Sequence, residues 1–412
     1  MKPFTALTLP NGAVIPNRLA KAAMEENMAD KDHAPSEDLI RLYQSWADGG
    51  VGLMITGNVM IDGRAMTGPG GVVLDSEQFG ARFAQWSRTA RSHGAHIWMQ
   101  INHPGRQMPA AMGQETIAPS VVPMDLGNFS RQFSPPRAMT EADIADVKAR
   151  FVNTARLAER FGFTGVQIHA AHGYLLSQFL SPITNKRNDR WGGPLENRAR
   201  LLIDIVREVR QAVGKAFAVA VKLNSADFQK GGFSSEDARK VVSMLNPLGV
   251  DLIELSGGSY EAPAMHGQTR DGRTLAREAY FLEFAKDIAT VADMPIMVTG
   301  GIRRYPVVEQ VLDSGIAMAG MGTALAINPQ LPNAWRSDQS ATPLLRPITW
   351  KNKVLSSIAY MAMVKYQLRR LSQGQRTRPD VSPALALVIQ QLETKVRNWQ
   401  YRRRMHRHAL AA

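Results

Sequence analysis

The 412-residue sequence contains no cysteine. That excludes disulfides, a Cys-held iron–sulfur cluster and a thiol nucleophile, so the chemistry must run on imidazole, hydroxyl, amine and carboxylate groups or on a bound cofactor. No uninterrupted apolar run approaches the ~18 residues that a spanning helix needs. The opening MKPFTALTLPNGAVIPNR lacks the apolar core of a secretory signal, so the expectation is a cytoplasmic protein. Low-complexity runs are also missing, and 44% hydrophobic with 21% charged residues fits an ordinary globular chain. Acidic residues are scarce in one region: from Arg346 to Ala412, only Asp380 and Glu393 stand against fourteen Lys and Arg. Fourteen less two places +12 of the net +13 in the tail, and leaves everything before it nearly neutral.

Before that tail, eight short apolar segments alternate with amphipathic helical ones. The strands expected are Leu19–Met24, Gly52–Val59, His96–Asn102, Gly165–His169, Ala218–Asn224, Leu252–Ser256, Ile296–Thr299 and Met318–Gly322. Helical spacing marks Ser36–Ala47, Gln78–His93, Thr140–Phe161, Leu195–Val213, Ser235–Leu245, Tyr280–Val291 and Pro306–Ser314. Thr140 with Asp143, and Ser235 before Glu236 and Asp237, are suited to start helices, because hydroxyls cap free amides and carboxylates face the positive end. Such an alternation predicts an α/β fold, a (β/α)8 TIM barrel over residues 1–345. Asn11-Gly12, between Leu7/Leu9 and Val14/Ile15, predicts an N-terminal β-hairpin. Residues 346–412 form the second unit, a basic extension of two helices, Trp350–Leu371 and Ser382–Tyr401. In the latter, Leu385, Val388, Ile389, Leu392, Val396 and Trp399 make one apolar stripe. Packing on the barrel or a subunit contact, attachment to an anionic membrane surface, and nucleic-acid binding are the uses open to it. Charge alone is a poor argument for nucleic acid, whereas basic amphipathic helices do bind lipid surfaces.

The loops after the third and fourth strands, His103–Met139 and Ala170–Pro194, far exceed the ~2–6 residues of an ordinary βα connection. Both fall on the face where barrels place their chemistry, so they are expected to shape a substrate mouth. The fourth begins with HAAHGYLLSQFLSPITNKRNDRWGGPLENRAR, which packs His169, His172 and Tyr174 into six residues. A structural or metal-binding imidazole pair is the plain alternative, but no third ligand stands nearby where zinc wants three or four, so no metal is expected.

That stretch closely resembles the signature of the Old Yellow Enzyme family of flavin-dependent ene-reductases: His-x-x-His-Gly-Tyr, then QFLSP, an N-x-R-x-D segment, GG and LENR. The resemblance runs from NRLAKAAM to roughly residue 340 and leaves the tail unexplained. Without cysteine, the chain is similar to the His/His subtype without an iron–sulfur domain. The resemblance implies FMN as cofactor and NAD(P)H as reductant. It assigns His169 and His172 to a substrate oxygen and Tyr174 to proton delivery, the three together binding the substrate. It places Lys222 where the family has a cation facing the flavin, and Gln100 where its Gln bonds the pyrimidine edge. It sets Ala22, Ala23 and Met24 along the ring system, with Gly57 leaving room beside it. Gly300, Gly301, Gly320 and Gly322 are expected to cradle phosphate with bare amides, as barrels do after their last two strands.

Two positions depart from the family pattern. Thr323 stands where the family usually has a phosphate-binding Arg, and Arg303 or Arg304 is the nearest replacement. Glu25 stands where the family has Thr or Cys touching the flavin, and an ionised carboxylate there disfavours negative charge on the reduced ring. The expected function is reduction of activated C=C bonds in small unsaturated carbonyl or nitro compounds. Open beside it are a flavin oxidoreductase of other specificity, acting on amines, quinones or nitro groups, and a non-catalytic barrel with a membrane- or nucleic-acid-binding tail.

Overall fold

A computed structural model describes residues 1–264 and 278–411, apart from the side chains at 353, 354 and 407–411. Eight parallel strands form a closed ring: β1 (Leu19–Lys21), β2 (Leu53–Ile55), β3 (His96–Asn102), β4 (Gly165–Ala170), β5 (Ala218–Asn224), β6 (Leu252–Ser256), β7 (Ile296–Val298) and β8 (Met318–Met321). Each pairs with the next, and β8 returns to β1. The protein is a TIM barrel, with helices packed outside it.

The two ends of the barrel differ in chemistry. At the amino ends of the strands, Ala20, Leu53, Trp98, Ala218, Ala220 and Leu252 form one apolar cluster with Leu7, Leu9 and Ile15. The last three belong to the hairpin, in which Leu7–Thr8 pairs antiparallel with Val14–Ile15. Gly12 turns it with φ 86°, a backbone that glycine adopts without strain. The hairpin therefore plugs the bottom of the barrel, and the polar residues of the strands gather at the top.

The helices around the barrel follow the amphipathic spacing to within a few residues, whereas the second tail helix, expected to end at Tyr401, continues to Ala411. Thr140 closes a capping box with Asp143, as its sequence predicts. In the sixth segment the cap is Ser234, not Ser235: Ser234 Oγ accepts from Asp237 N at 3.1 Å, and Ser235 is already helical. β1 is shorter than expected, ending at Lys21, whose buried amine bonds Glu26 Oε1 at 3.0 Å, Tyr43 Oη at 3.1 Å and Ile55 O at 2.9 Å. β2 stops at Ile55, and Val59–Met60 pairs separately with Val72–Val73 and with β3.

The tail consists of two helices, Lys353–Ser372 and Pro383–Ala411, both lying against the barrel. Arg41 Nη1 donates to Ser372 O at 2.7 Å and Thr377 Oγ1 to Ile327 O at 2.8 Å. Tyr401, 1% exposed, is seated among Met60, Met66, Met108 and Met112 and donates to Gly63 O at 3.0 Å. The apolar stripe read from the sequence does not make this contact. Leu385, Val388, Leu392, Val396 and Trp399 are 51–60% exposed, because Ala386 and Tyr401 turn the opposite face inward. Among the described residues, no helix is long and apolar enough to cross a membrane.

Candidate active site

The carboxyl ends of the strands open into a cavity of about 540 Å³. Side chains two apart on a strand face the same side, so Gln167 with His169, Lys222 with Asn224, and Glu254 with Ser256 form successive polar pairs. Register sets Lys222 beside both His169 and Glu254. Lys222 Nζ donates to Glu254 Oε1 at 2.8 Å, Gln167 Nε2 to Glu254 Oε2 at 2.8 Å, and Gln100 Nε2 to Gln167 Oε1 at 2.6 Å. Lys222 and Gln100 line the cavity, while Gln167 and Glu254 orient them from below. Neither support was named from sequence, although polar residues at alternate positions of wholly buried strands were the available signal.

His169, His172 and Tyr174 converge on one wall. Tyr174 packs edge-on against His169 with ring centroids 4.9 Å apart, and His172 lies 5.1 Å from His169. Burial, reinforced by the Lys222 charge, holds the His169 pKa well below its usual value, so the ring is neutral. Ala171 N donates to its Nδ1 at 3.2 Å, leaving the ring proton on Nε2. His172 sits at φ 60°, an uncommon conformation outside glycine that clusters at functional sites. Asn224 Oδ1 accepts from its backbone N at 3.1 Å, and Ser256 Oγ meets its Nε2 at 2.7 Å. Burial first, then Tyr260 and the Glu25 charge, raise the Tyr174 pKa well above the phenol value, so it keeps its proton. Tyr260, a further residue unnamed from sequence, shares a 2.8 Å hydrogen bond with Tyr174 Oη. Its loop is pinned by the buried Arg106–Glu261 ion pair.

Of the other residues expected here, Ala22, Ala23, Met24, Glu25, Gly300, Gly301, Arg303, Gly322 and Thr323 line the cavity, and Gly57 and Gly320 do not. A Cβ on Gly57 would fall 2.0 Å from Glu26 Oε2 and 2.1 Å from Met24 O, so this glycine makes room for protein, not for a ligand. On Gly320 it would meet Thr299 Cγ2 at 2.4 Å, within the barrel wall. Gly301, at φ 71°, is bare for a similar reason: a Cβ there would lie 2.4 Å from the Tyr280 hydroxyl. Between the two candidate cations, Arg304 is taken up by Glu278 at 2.7 Å and lies outside the cavity lining. Arg303 lines the cavity, and its Nε also lies 3.3 Å from Glu278 Oε1, so the two arginines share that carboxylate. A cation, an oriented carboxamide, bare glycine amides and a guanidinium at the cavity edge make a donor set that fits a phosphate-bearing flavin.

Glu25 is neither protonated nor turned away. Partial burial opposes its charge, but Lys365 at 3.3 Å and hydrogen bonds from Thr67, Lys365 and Asn27 outweigh that and hold its pKa below the usual carboxylate value. Lys365 comes from the tail, together with Tyr360, Met361, Val364 and Leu368 of the same wall. The cavity lining therefore extends beyond residues 1–345, into the first tail helix. Nothing in the charge pattern of the tail marked this one lysine among fourteen cations.

The family model for the NADH:flavin oxidoreductase / NADH oxidase family matches residues 2–340. The chain is 37% identical over 348 residues to an NADH-dependent flavin oxidoreductase of Hypocrea jecorina, covering 79% of this chain and 86% of that one. It is 36% identical over 351 residues to a namesake from a Neonectria species, covering 79% of this chain but spanning only 46% of that longer protein. The solved Old Yellow Enzyme homologue of Zymomonas mobilis superposes with a TM-score of 0.71 at 26% identity, covering 83% of this chain and 94% of that one. With the barrel, the cavity and these likenesses together, the chain belongs to the NADH:flavin oxidoreductase family of Old Yellow Enzyme homologues, FMN enzymes reduced by NAD(P)H.

Proposed function

We propose that this enzyme reduces C=C bonds conjugated to a carbonyl or nitro group, with His169 and His172 holding the substrate oxygen and Tyr174 supplying a proton. The convergence of two imidazoles and a protonated phenol on one wall carries the reading. Lys222, Gln100, the backbone of Ala22–Met24, Gly300, Gly301, Gly322, Thr323 and Arg303 are the residues that would hold FMN. The chemistry that bound FMN would supply is hydride transfer, with NAD(P)H as the source and the β-carbon of the alkene as the destination. The neutral His169 presents Nε2–H, a donor suited to the charge that develops on the substrate oxygen. His172 is oriented for the same task by Ser256 and Asn224. Tyr174 protonates the α-carbon, which is basic enough to take a proton from a phenol whose pKa is raised.

Rapid mixing of each half-reaction tests this. Y174F should slow reoxidation of the reduced enzyme by an enone ~10²–10⁴-fold, the usual worth of a general acid. Flavin reduction by NAD(P)H should keep its rate. Equal reoxidation rates in Y174F and wild type would remove Tyr174 from the mechanism and favour an acceptor that takes electrons without carbon protonation, such as a quinone.

The outer face of the tail supports a second reading, contact with an anionic bilayer surface. The exposed Leu385, Val388, Leu392, Val396 and Trp399 are accompanied by exposed Lys395, Arg402 and Arg403. Glu393, the one carboxylate of this helix, is taken up by Arg369 of the other tail helix. An apolar ridge flanked by cations complements anionic lipid, whereas a second copy of the same face would bring like charges together. Co-sedimentation with anionic vesicles, beside light scattering for self-association, distinguishes the two.

A further inference from the structure

The family match ends at residue 340, yet Pro343, Leu344 and Leu345 and the stripe Tyr360, Met361, Val364, Lys365 and Leu368 wall the cavity. Spacings of three and four place that stripe on one face of helix Lys353–Ser372. The helix is firmly seated. Asn352 Oδ1 caps Leu355 N at 3.0 Å, and Gln367 exchanges hydrogen bonds of 2.9 and 2.6 Å with the backbone of Arg378. Arg369 ties it to the second tail helix through Glu393.

Lys365 is the one charged residue of the stripe. Its Nζ lies 3.3 Å from Glu25 Oε2 and also donates to Asn27 Oδ1. The far side of the Glu25 carboxylate accepts from Thr67 Oγ1. The pair is mostly enclosed, with Lys365 15% and Glu25 25% exposed, so its charges are weakly screened by water. Breaking such a pair leaves one uncompensated charge in the cavity, whereas removing both partners leaves none.

We infer that residues 343–345 and the 360–368 stretch of the first tail helix are a wall of the active site. In that wall Lys365 is a positioning residue that holds Glu25 in a net-neutral ion pair and thereby keeps the Glu25 charge from lowering the reduction potential of the flavin. This rests on FMN occupying the cavity. Glu25 alone would oppose the added electrons and Lys365 alone would favour them, so the two partners act with opposite sign and cancel when both are present.

The test uses full-length holoenzyme and the variants E25Q, K365M, K365R and E25Q/K365M, with the flavin midpoint potential measured by dye equilibration at about pH 9, where a lone carboxylate is ionised. E25Q should raise the potential, K365M should lower it, and the double variant should return close to wild type. K365R, which keeps the charge, should stay near wild type. If K365M fails to retain flavin, E25Q and the double variant decide: a raised potential in the first that is cancelled in the second supports the pair. Singles that shift in the same direction, or an E25Q potential that does not move, overturn the inference. Wild-type protein that binds no FMN overturns the underlying functional reading instead.

Discussion

The hydroxyls of Tyr174 and Tyr260 lie 2.8 Å apart, with the rings edge-to-face at 5.9 Å. Tyr260 sits in the loop after β6, against Phe133 from the long loop after β3. One phenol therefore fixes the direction in which the other presents its proton. Replacing Tyr260 with Phe removes a hydrogen bond worth about 0.5–1.5 kcal/mol, so enone reoxidation should slow roughly 2- to 13-fold in that variant. The effect should be smaller than that of Y174F and confined to the same half-reaction. A larger loss in Y260F than in Y174F, read by stopped flow, would reverse the two roles.

The histidine pair makes a separate prediction about binding. Phenols, whose oxygen carries enolate-like charge, should bind to the holoenzyme and give a long-wavelength charge-transfer band. H169A/H172A should weaken their affinity at least about tenfold, since hydrogen bonds to charged groups contribute about 1.5–3 kcal/mol each. Optical titration measures it. An unchanged band and affinity would place the substrate oxygen elsewhere.

His33 links the tail to pH. It is buried edge-on against Tyr401 at 5.5 Å, with Nδ1 on Gly71 O at 3.0 Å. Burial is the main cause that lowers its pKa from 6.5 to about 4; Gly71 and Asp32 oppose this, and Arg404 and Arg397 reinforce it. Because the folded state resists protonation that the unfolded state accepts, the stability is fully present above pH 6.5 and is lost as pH falls toward 4. The loss should approach about 3 kcal/mol from this residue, with His103, also lowered to about 4 mainly by burial, adding in the same direction. Urea unfolding across that window should show a smaller loss in H33N than in wild type. Identical pH profiles for the two proteins would show that His33 is not the group responsible.

The outer face of the tail can be altered without touching the cavity. Changing Leu392, Val396 and Trp399 to Ser should abolish co-sedimentation with anionic vesicles while leaving FMN content unchanged. Wild-type binding to these vesicles should weaken as salt rises, because the cationic flank is screened. Wild-type protein that ignores vesicles but self-associates through this face would favour a subunit contact.

Much of the barrel was legible because strands buried on both faces read as apolar runs, and the helices between them repeat at their own period. The Asn11-Gly12 hairpin was legible for a local reason, a turn that needs positive φ. The sequence also marked His169, His172 and Tyr174, since so dense a polar cluster at a strand end has few structural uses. Gly57 was misread because a bare glycine looks the same from sequence whether it clears space for a ligand or for Glu26. Tyr260 and Lys365 were missed for a different reason. Both reach the cavity from segments distant in sequence, and only closure of the barrel and docking of the tail bring them together. The exposed stripe of the second tail helix follows the same logic, because an amphipathic period reveals an apolar face but not what that face meets.

Product analysis of a single turnover series tests the central claim most directly: FMN holoenzyme, NAD(P)H and 2-cyclohexenone under nitrogen, with products separated by gas chromatography. The expected result is cyclohexanone in step with NAD(P)H consumed, the C=C bond reduced and the carbonyl retained. NAD(P)H oxidised without saturated ketone, or the allylic alcohol as product, would contradict the assignment of this site to activated alkenes.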